Sequence, residues 1–196
     1  SGTASSYNYY PIGNLKPEDR IAFLAFGLGK TVVDGFLNLK FCPKYPNVNF
    51  FGSTKQLIEN SQRTFFAIDL PKKEFDYLKQ DPFVIKLNIF DAKDDDSLSL
   101  VADTYDHNDD IIRPGYWGDG TPVITFNRYI KQSKIPLAKI INRILTLGEK
   151  SMGCPVEIEF AGVFKNTSTL KNEFYLLQIR PYTVYEDLDS ISIDKI

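Results

Sequence analysis

The chain has 196 residues, of which 43% are hydrophobic and 14% aromatic, with a formal net charge of −2. This is enough apolar material for one domain with a sizeable core, and it excludes a disordered chain. The balanced charge excludes a basic field for nucleic acid, and no apolar run reaches the roughly 20 residues of a membrane span.

No basic segment followed by an apolar stretch opens the chain, so no secretory signal is read. Cys42 and Cys154 have no partner at metal-ligand spacing. Two buried free thiols in a reducing cytoplasm are expected, with a disulfide between them as the alternative.

Residues 1–20 are rich in Ser, Gly, Tyr and Pro and read as an irregular lead-in. Ile21 to Phe26 is a short apolar run, consistent with a buried strand. It enters GLGKTVVDG, residues 27–35. A strand, glycines and a helical turn form a phosphate-loop layout, or else a tight turn packing a strand on a helix. The glycine spacing, GxGK in place of GxxxxGK, excludes a Walker A loop.

Phe36 to Phe41 alternates weakly as a strand, and residues 42–52 read as a loop with two prolines. Arg63 to Leu70 and Phe83 to Phe90 are expected strands, with a short helix between them on Phe75 and Leu78. AKDDD at 92–96 reads as a solvated turn and Leu98 to Thr104 as a strand. A long loop then runs to Pro122. His107, the single histidine, lies in the acidic segment YDHNDD and reads as a loop residue. Val123 to Phe126 is a short strand.

Leu137, Ile140, Ile141, Ile144 and Leu145 recur at helical spacing, with Pro136 near the start and Gly148 or Gly153 near the end. This predicts an amphipathic core helix with Lys139, Asn142 and Arg143 facing water.

PVEIEFAGV at 155–163 and EFYLLQIRP at 173–181 read as two strands. Period-two alternation puts Glu157 and Glu159 on one face and Val156, Ile158 and Phe160 on the other. In the second strand Gln178 and Arg180 share a face, opposite Tyr175, Leu177 and Ile179. An antiparallel hairpin would set Glu159 opposite Gln178 and Glu157 opposite Arg180. Carboxylate and amide oxygens suit a hard cation, and an arginine fork suits phosphate. The same residues also suit a solvated face with one cross-strand ion pair.

PVEIEF followed by LLQIRP resembles the end of the nucleotide-binding domain of the phosphoenolpyruvate synthase and pyruvate phosphate dikinase family, a domain of the ATP-grasp type. Glu157 stands at that pattern's first acidic position, Glu159 at its glutamate, and Gln178 and Arg180 at its closing Gln-x-Arg. Gly27, Leu28, Gly29, Val32, Val33 and Gly35 match a second family segment, in which Lys30 departs from an acidic residue.

The resemblance implies an α+β fold, a largely antiparallel or mixed sheet with a packed amphipathic helix. Residues 1–35 and 122–182 would be the core of a C-terminal ATP-grasp subdomain, 36–121 an insertion, and 183–196 an acidic linker. It implies ATP and Mg2+ as cofactors, with Glu159 and Gln178 as metal ligands. Gly27, Gly29, Glu157, Gln178 and Arg180 would bind ATP phosphates, and Arg180 would be catalytic. The implied function is the ATP-binding half of a dikinase-type phosphotransferase, passing phosphate to a histidine and on to pyruvate in domains elsewhere in the parent protein. The isolated chain would be inactive. The alternative is a non-catalytic interaction or regulatory module that keeps the fold. The expected location is the cytoplasm, with neither nucleic acid nor membrane as partner.

Overall fold

This computed structural model describes residues 1–70, 83–93, 97–118, 120–131, 135–165 and 172–182. The expected helix around Phe75 and Leu78, the end of the AKDDD turn, the tip of the 155–181 hairpin and the 183–196 linker lie outside the described residues.

In chain order the elements are β1 (Gly2–Ser5), β2 (Ile21–Leu24), α1 (Lys30–Val33), β3 (Leu39–Phe41), α2 (Thr54–Glu59), β4 (Thr64–Ile68) and β5 (Val84–Asn88). They continue with α3 (Leu98–Val101), β6 (Ala102–Asp106), β7 (Ile111–Arg113), β8 (Thr121–Ile124), α4 (Asn127–Ile130), α5 (Leu137–Met152), β9 (Val156–Val163) and β10 (Glu173–Pro181). Among the described residues the main sheet has five strands in the order β10-β9-β1-β2-β3, beside a β4-β5 pair and a β7-β6-β8 sheet. Every pairing is antiparallel. The fold is therefore α+β, as the sequence implies.

The expected loop up to Pro122 contains a short strand, β7, paired with β6, and two other expectations fail in instructive ways. The lead-in is not irregular at its start, because Gly2–Ser5 is the central strand, hydrogen-bonded to β2 on one side and β9 on the other. Gly2 is small because the strand is crowded there. A Cβ on Gly2 would sit 2.5 Å from both Phe160 Cζ and the Phe23 carbonyl oxygen. Small residues give none of the β-branched signal by which strands are recognised.

The second failure is Leu98 to Thr104, expected as one strand. Leu98–Val101 forms a helical turn, and the strand starts at Ala102. Leu98, Leu100 and Val101 are all buried and Ser99 is half-buried, so three of the four residues of this turn face the core. Period alone cannot assign such a run.

The long helix follows its pattern. Leu137, Ile141 and Leu145 are buried on the same core as Val156, Ile158 and Phe160 of β9. Burial of each such side chain contributes about 1.5–3 kcal/mol. Gly153, at φ 70°, ends the helix as a left-handed cap. Lys139 and Arg143 face water as expected, but Asn142 is half-buried. Its carbonyl and its Oδ1 accept from Arg20 Nη1 at 2.6 and 2.5 Å. Arg20 Nη2 also donates to Glu149 Oε2 at 2.7 Å, so one nearly buried guanidinium ties the start of β2 to α5. Helical spacing marks the apolar face of α5 but carries no sign of a partner far away in sequence.

Both cysteines are free, which disposes of the disulfide alternative. Cys42 is buried as expected, and its thiol donates to the Asp19 carbonyl at 3.0 Å. Cys154 is only half-buried.

Candidate functional site

β9 alternates as its sequence dictates. Val156, Ile158 and Phe160 are 0%, 0% and 3% exposed and turn toward α5 and the core. Glu157 and Glu159 are half-buried on the opposite face. β10 pairs with it so that Gln178 lies opposite Glu159 and Arg180 opposite Glu157.

The register breaks between Leu176 and Gln178, where the chain bulges. The bulge reverses the alternation along β10. Phe174 stacks on Phe160 at 5.2 Å on the core face, and Ile179 packs against the same core. Tyr175 and Leu177, expected with Ile179 on the apolar face, are instead exposed. A bulge inserts one unpaired residue, so side-chain parity on its two sides differs. The sequence reading used strict alternation and missed it, while the Gln178–Arg180 segment beyond the bulge keeps the expected face.

The central strand extends this face. Thr3 lies opposite Glu159, and Ser5 lies opposite Glu157. Across β2 the first row continues to Phe23 and then to Lys40 of β3. One surface thus carries Gln178, Glu159, Thr3, Phe23 and Lys40 in a row, with Arg180, Glu157, Ser5 and Ile21 beside it. Thr3, Ser5 and Lys40 were not found from sequence, because their place depends on β1 being the central strand.

Arg180 donates from Nε and Nη2 to Glu157 Oε2 at 2.9 and 2.6 Å. The Arg180 side chain is 54% exposed and that of Glu157 22%. The hydrogen bonds that Arg180 donates to Glu157, followed by the charges of Glu157 and Glu159, push the guanidinium pKa further up. Arg180 is therefore a cation held at the surface by the Glu157 carboxylate, with the charge of Glu159 nearby. Such an exposed pair adds only ~0–1 kcal/mol to stability. Its geometric effect is to aim the guanidinium.

Among the described residues no side-chain hydrogen bond ties down Glu159 or Gln178. A carboxylate and an amide oxygen on adjacent strands fit Mg2+, which is commonly held by one or two carboxylates together with substrate phosphates and water. No cluster of three or more His, Cys, Asp and Glu residues forms a self-contained metal cage among the described residues.

Glu157 also lines an open cleft of about 600 Å³ on this face, together with Thr3, Phe23, Phe36, Lys40 and Tyr182. Gly27 and Gly29 are not among the residues lining that cleft. Gly27 has φ +88°, and a Cβ there would sit 2.7 Å from the Phe66 carbonyl oxygen, which accepts from Leu28 N at 3.0 Å. Its immediate role is to press the turn against β4. Gly29 precedes the single turn of α1. Lys30 is engaged locally, 3.4 Å from Asp34 and 5.9 Å from the centre of the Phe66 ring.

His107 lies in the exposed turn between β6 and β7, outside the main sheet. Its Nε2 is 2.8 Å from Thr121 Oγ1. His107→Ala is expected to leave stability within ~0.5 kcal/mol and the phosphoryl transfer that the resemblance implies for the intact protein within about twofold. Loss of a labelled phosphoenzyme in that variant would give His107 a direct role in transfer.

No helix among the described residues is long and apolar enough to cross a membrane. Compared with known families, residues 1–195 match the model of the pyruvate phosphate dikinase AMP/ATP-binding domain. No curated protein matches the chain, and no solved structure does.

Proposed function

We propose that this chain, which belongs to the pyruvate phosphate dikinase AMP/ATP-binding domain family, uses the open face of its main sheet to hold the phosphates of ATP. The cross-strand register carries this reading: it sets Glu159 against Gln178 and Glu157 against Arg180 on one accessible surface.

Glu159 and Gln178 would hold Mg2+, which, when bound, neutralises phosphate charge. Arg180 would contact the phosphates as charge shifts during transfer, and Glu157 would keep its fork oriented. Gly27 and Gly29 would let backbone approach the nucleotide from the end of β2. Phosphoryl transfer depends chiefly on such positioning and charge neutralisation.

The family further supports a histidine acceptor and pyruvate chemistry supplied by other domains of a parent enzyme. On this reading residues 1–35 and 122–182 are the core of a C-terminal ATP-grasp subdomain, residues 36–121 are an insertion, and the isolated chain lacks turnover. ATP titration of the intact protein, with and without Mg2+, tests the proposal. Binding should tighten with the metal, and Glu159→Gln should remove most of that gain. A metal-independent affinity, unchanged in Glu159→Gln, would eliminate this face as the metal–phosphate site.

A further inference from the structure

A second cavity, of about 480 Å³, lies between the main sheet and the three-stranded sheet. Its walls come from β3, β7 and α4, including Phe41, Ile112 and Ile130. The volume suits a small organic molecule. Of the residues on the open sheet face, Lys40 reaches its wall, whereas Glu157, Glu159, Gln178 and Arg180 do not line it.

Asp103 of β6 lines this cavity and is only 3% exposed. Its carboxylate accepts from Gly115 N at 2.8 Å, Thr125 Oγ1 at 2.7 Å and Asn127 Nδ2 at 2.6 Å. All three donors are neutral, and among the described residues Asp103 makes no ion pair. A buried carboxylate is ordinarily matched by a cation. Two of the donors share Oδ2, so Oδ1 keeps acceptor capacity. Thr125 and Asn127 also line the cavity, giving it a polar, negatively charged end.

The opposite charge stands at the exposed end. Lys131 lines the same cavity, is exposed, and donates to Asn49 Oδ1 at 3.3 Å. Asn49 is itself a wall residue, so the ammonium is held at the opening with donors to spare. The cavity therefore has a carboxylate at its buried end, an ammonium at its exposed end and apolar walls between.

We infer that this cavity binds a small zwitterion whose two charges are separated by an apolar segment, an ω-amino acid being the simplest molecule of that class. Its ammonium would meet Asp103, its carboxylate would meet Lys131, and its methylene chain would lie among Phe41, Ile112 and Ile130. Phe50 and Phe51 line both this cavity and the cleft beside Glu157, so an occupant would touch the wall of the phosphate face.

Calorimetry on the intact protein with 4-aminobutyrate, 5-aminopentanoate and 6-aminohexanoate tests the inference. At least one should bind and raise Tm by about 2 °C or more at saturation. N-acetylation of the bound amino acid removes its ammonium and should abolish binding. Lys131→Ala, at the exposed end and outside the phosphate face, should weaken it about fivefold while leaving ATP binding in the absence of amino acid unchanged. Absence of binding by all three, equal binding of the acetylated form, or unchanged affinity in Lys131→Ala would each overturn the inference. Failure of these arms with intact Mg2+-dependent ATP binding would leave the phosphate-face reading standing.

Discussion

Arg180→Lys in the intact protein is expected to cut phosphoryl transfer by about 10²-fold, the usual size of losing one aimed donor to developing charge. Lysine keeps the positive charge, but it cannot reproduce a planar fork whose Nε and Nη2 both rest on Glu157. The side chain is 54% exposed and its ion pair is a surface one. Unfolding free energy should therefore move by no more than ~1 kcal/mol. Denaturant unfolding and a phosphoryl-transfer assay on the same preparation separate the two effects. A loss of transfer that merely tracked a loss of stability would make Arg180 a structural pair only.

Gly148→Val is expected to act in the opposite way, through the fold. Gly148 is buried where α5 presses on the back of the hairpin. A Cβ there would sit 2.6 Å from Ile179 Cδ1 and 3.0 Å from Val156 Cγ2. Valine adds a branched side chain to that contact and should cost about 1–3 kcal/mol through overpacking. Gly148→Ala adds one methyl, and about 1 kcal/mol of gained helix propensity should offset its crowding. Chemical denaturation of the pair gives the contrast. Equal stability of Gly148→Val and the unmodified chain would mean that α5 does not seat on Val156 and Ile179 as described.

The two variants probe opposite faces of one hairpin. Val156, Ile158 and Ile179 anchor it to α5, which leaves Glu157, Glu159, Gln178 and Arg180 on an accessible surface. A one-residue slip would bury the carboxylates under the helix, and an unpaired buried carboxylate costs several kcal/mol. The apolar anchor thus fixes the position of the polar face.

How much of this was legible in advance depended on whether the signal was local. Period-two alternation in 155–163, with paired polar positions in 173–181, was sufficient to set the register of Glu159 on Gln178 and Glu157 on Arg180. Helical periodicity likewise delimited α5, because the 3.6-residue repeat is a property of the segment itself. The family resemblance of the glycine and glutamate segments was also a matter of sequence.

Only the tertiary structure decided the rest. Gly2–Ser5 is the central strand because β2 and β9 pair with it from both sides, and at Gly2 no side chain fits between Phe160 and the Phe23 backbone. The β10 bulge, beside which Tyr175 and Leu177 are exposed, shows only in the pairing of β10 with β9. The guanidinium of Arg20 crosses to Asn142 and Glu149, and Asp103 gathers Thr125, Asn127 and Gly115, through contacts that no local pattern encodes. Local periodicity says which way a side chain faces; only the packed chain says what stands opposite it.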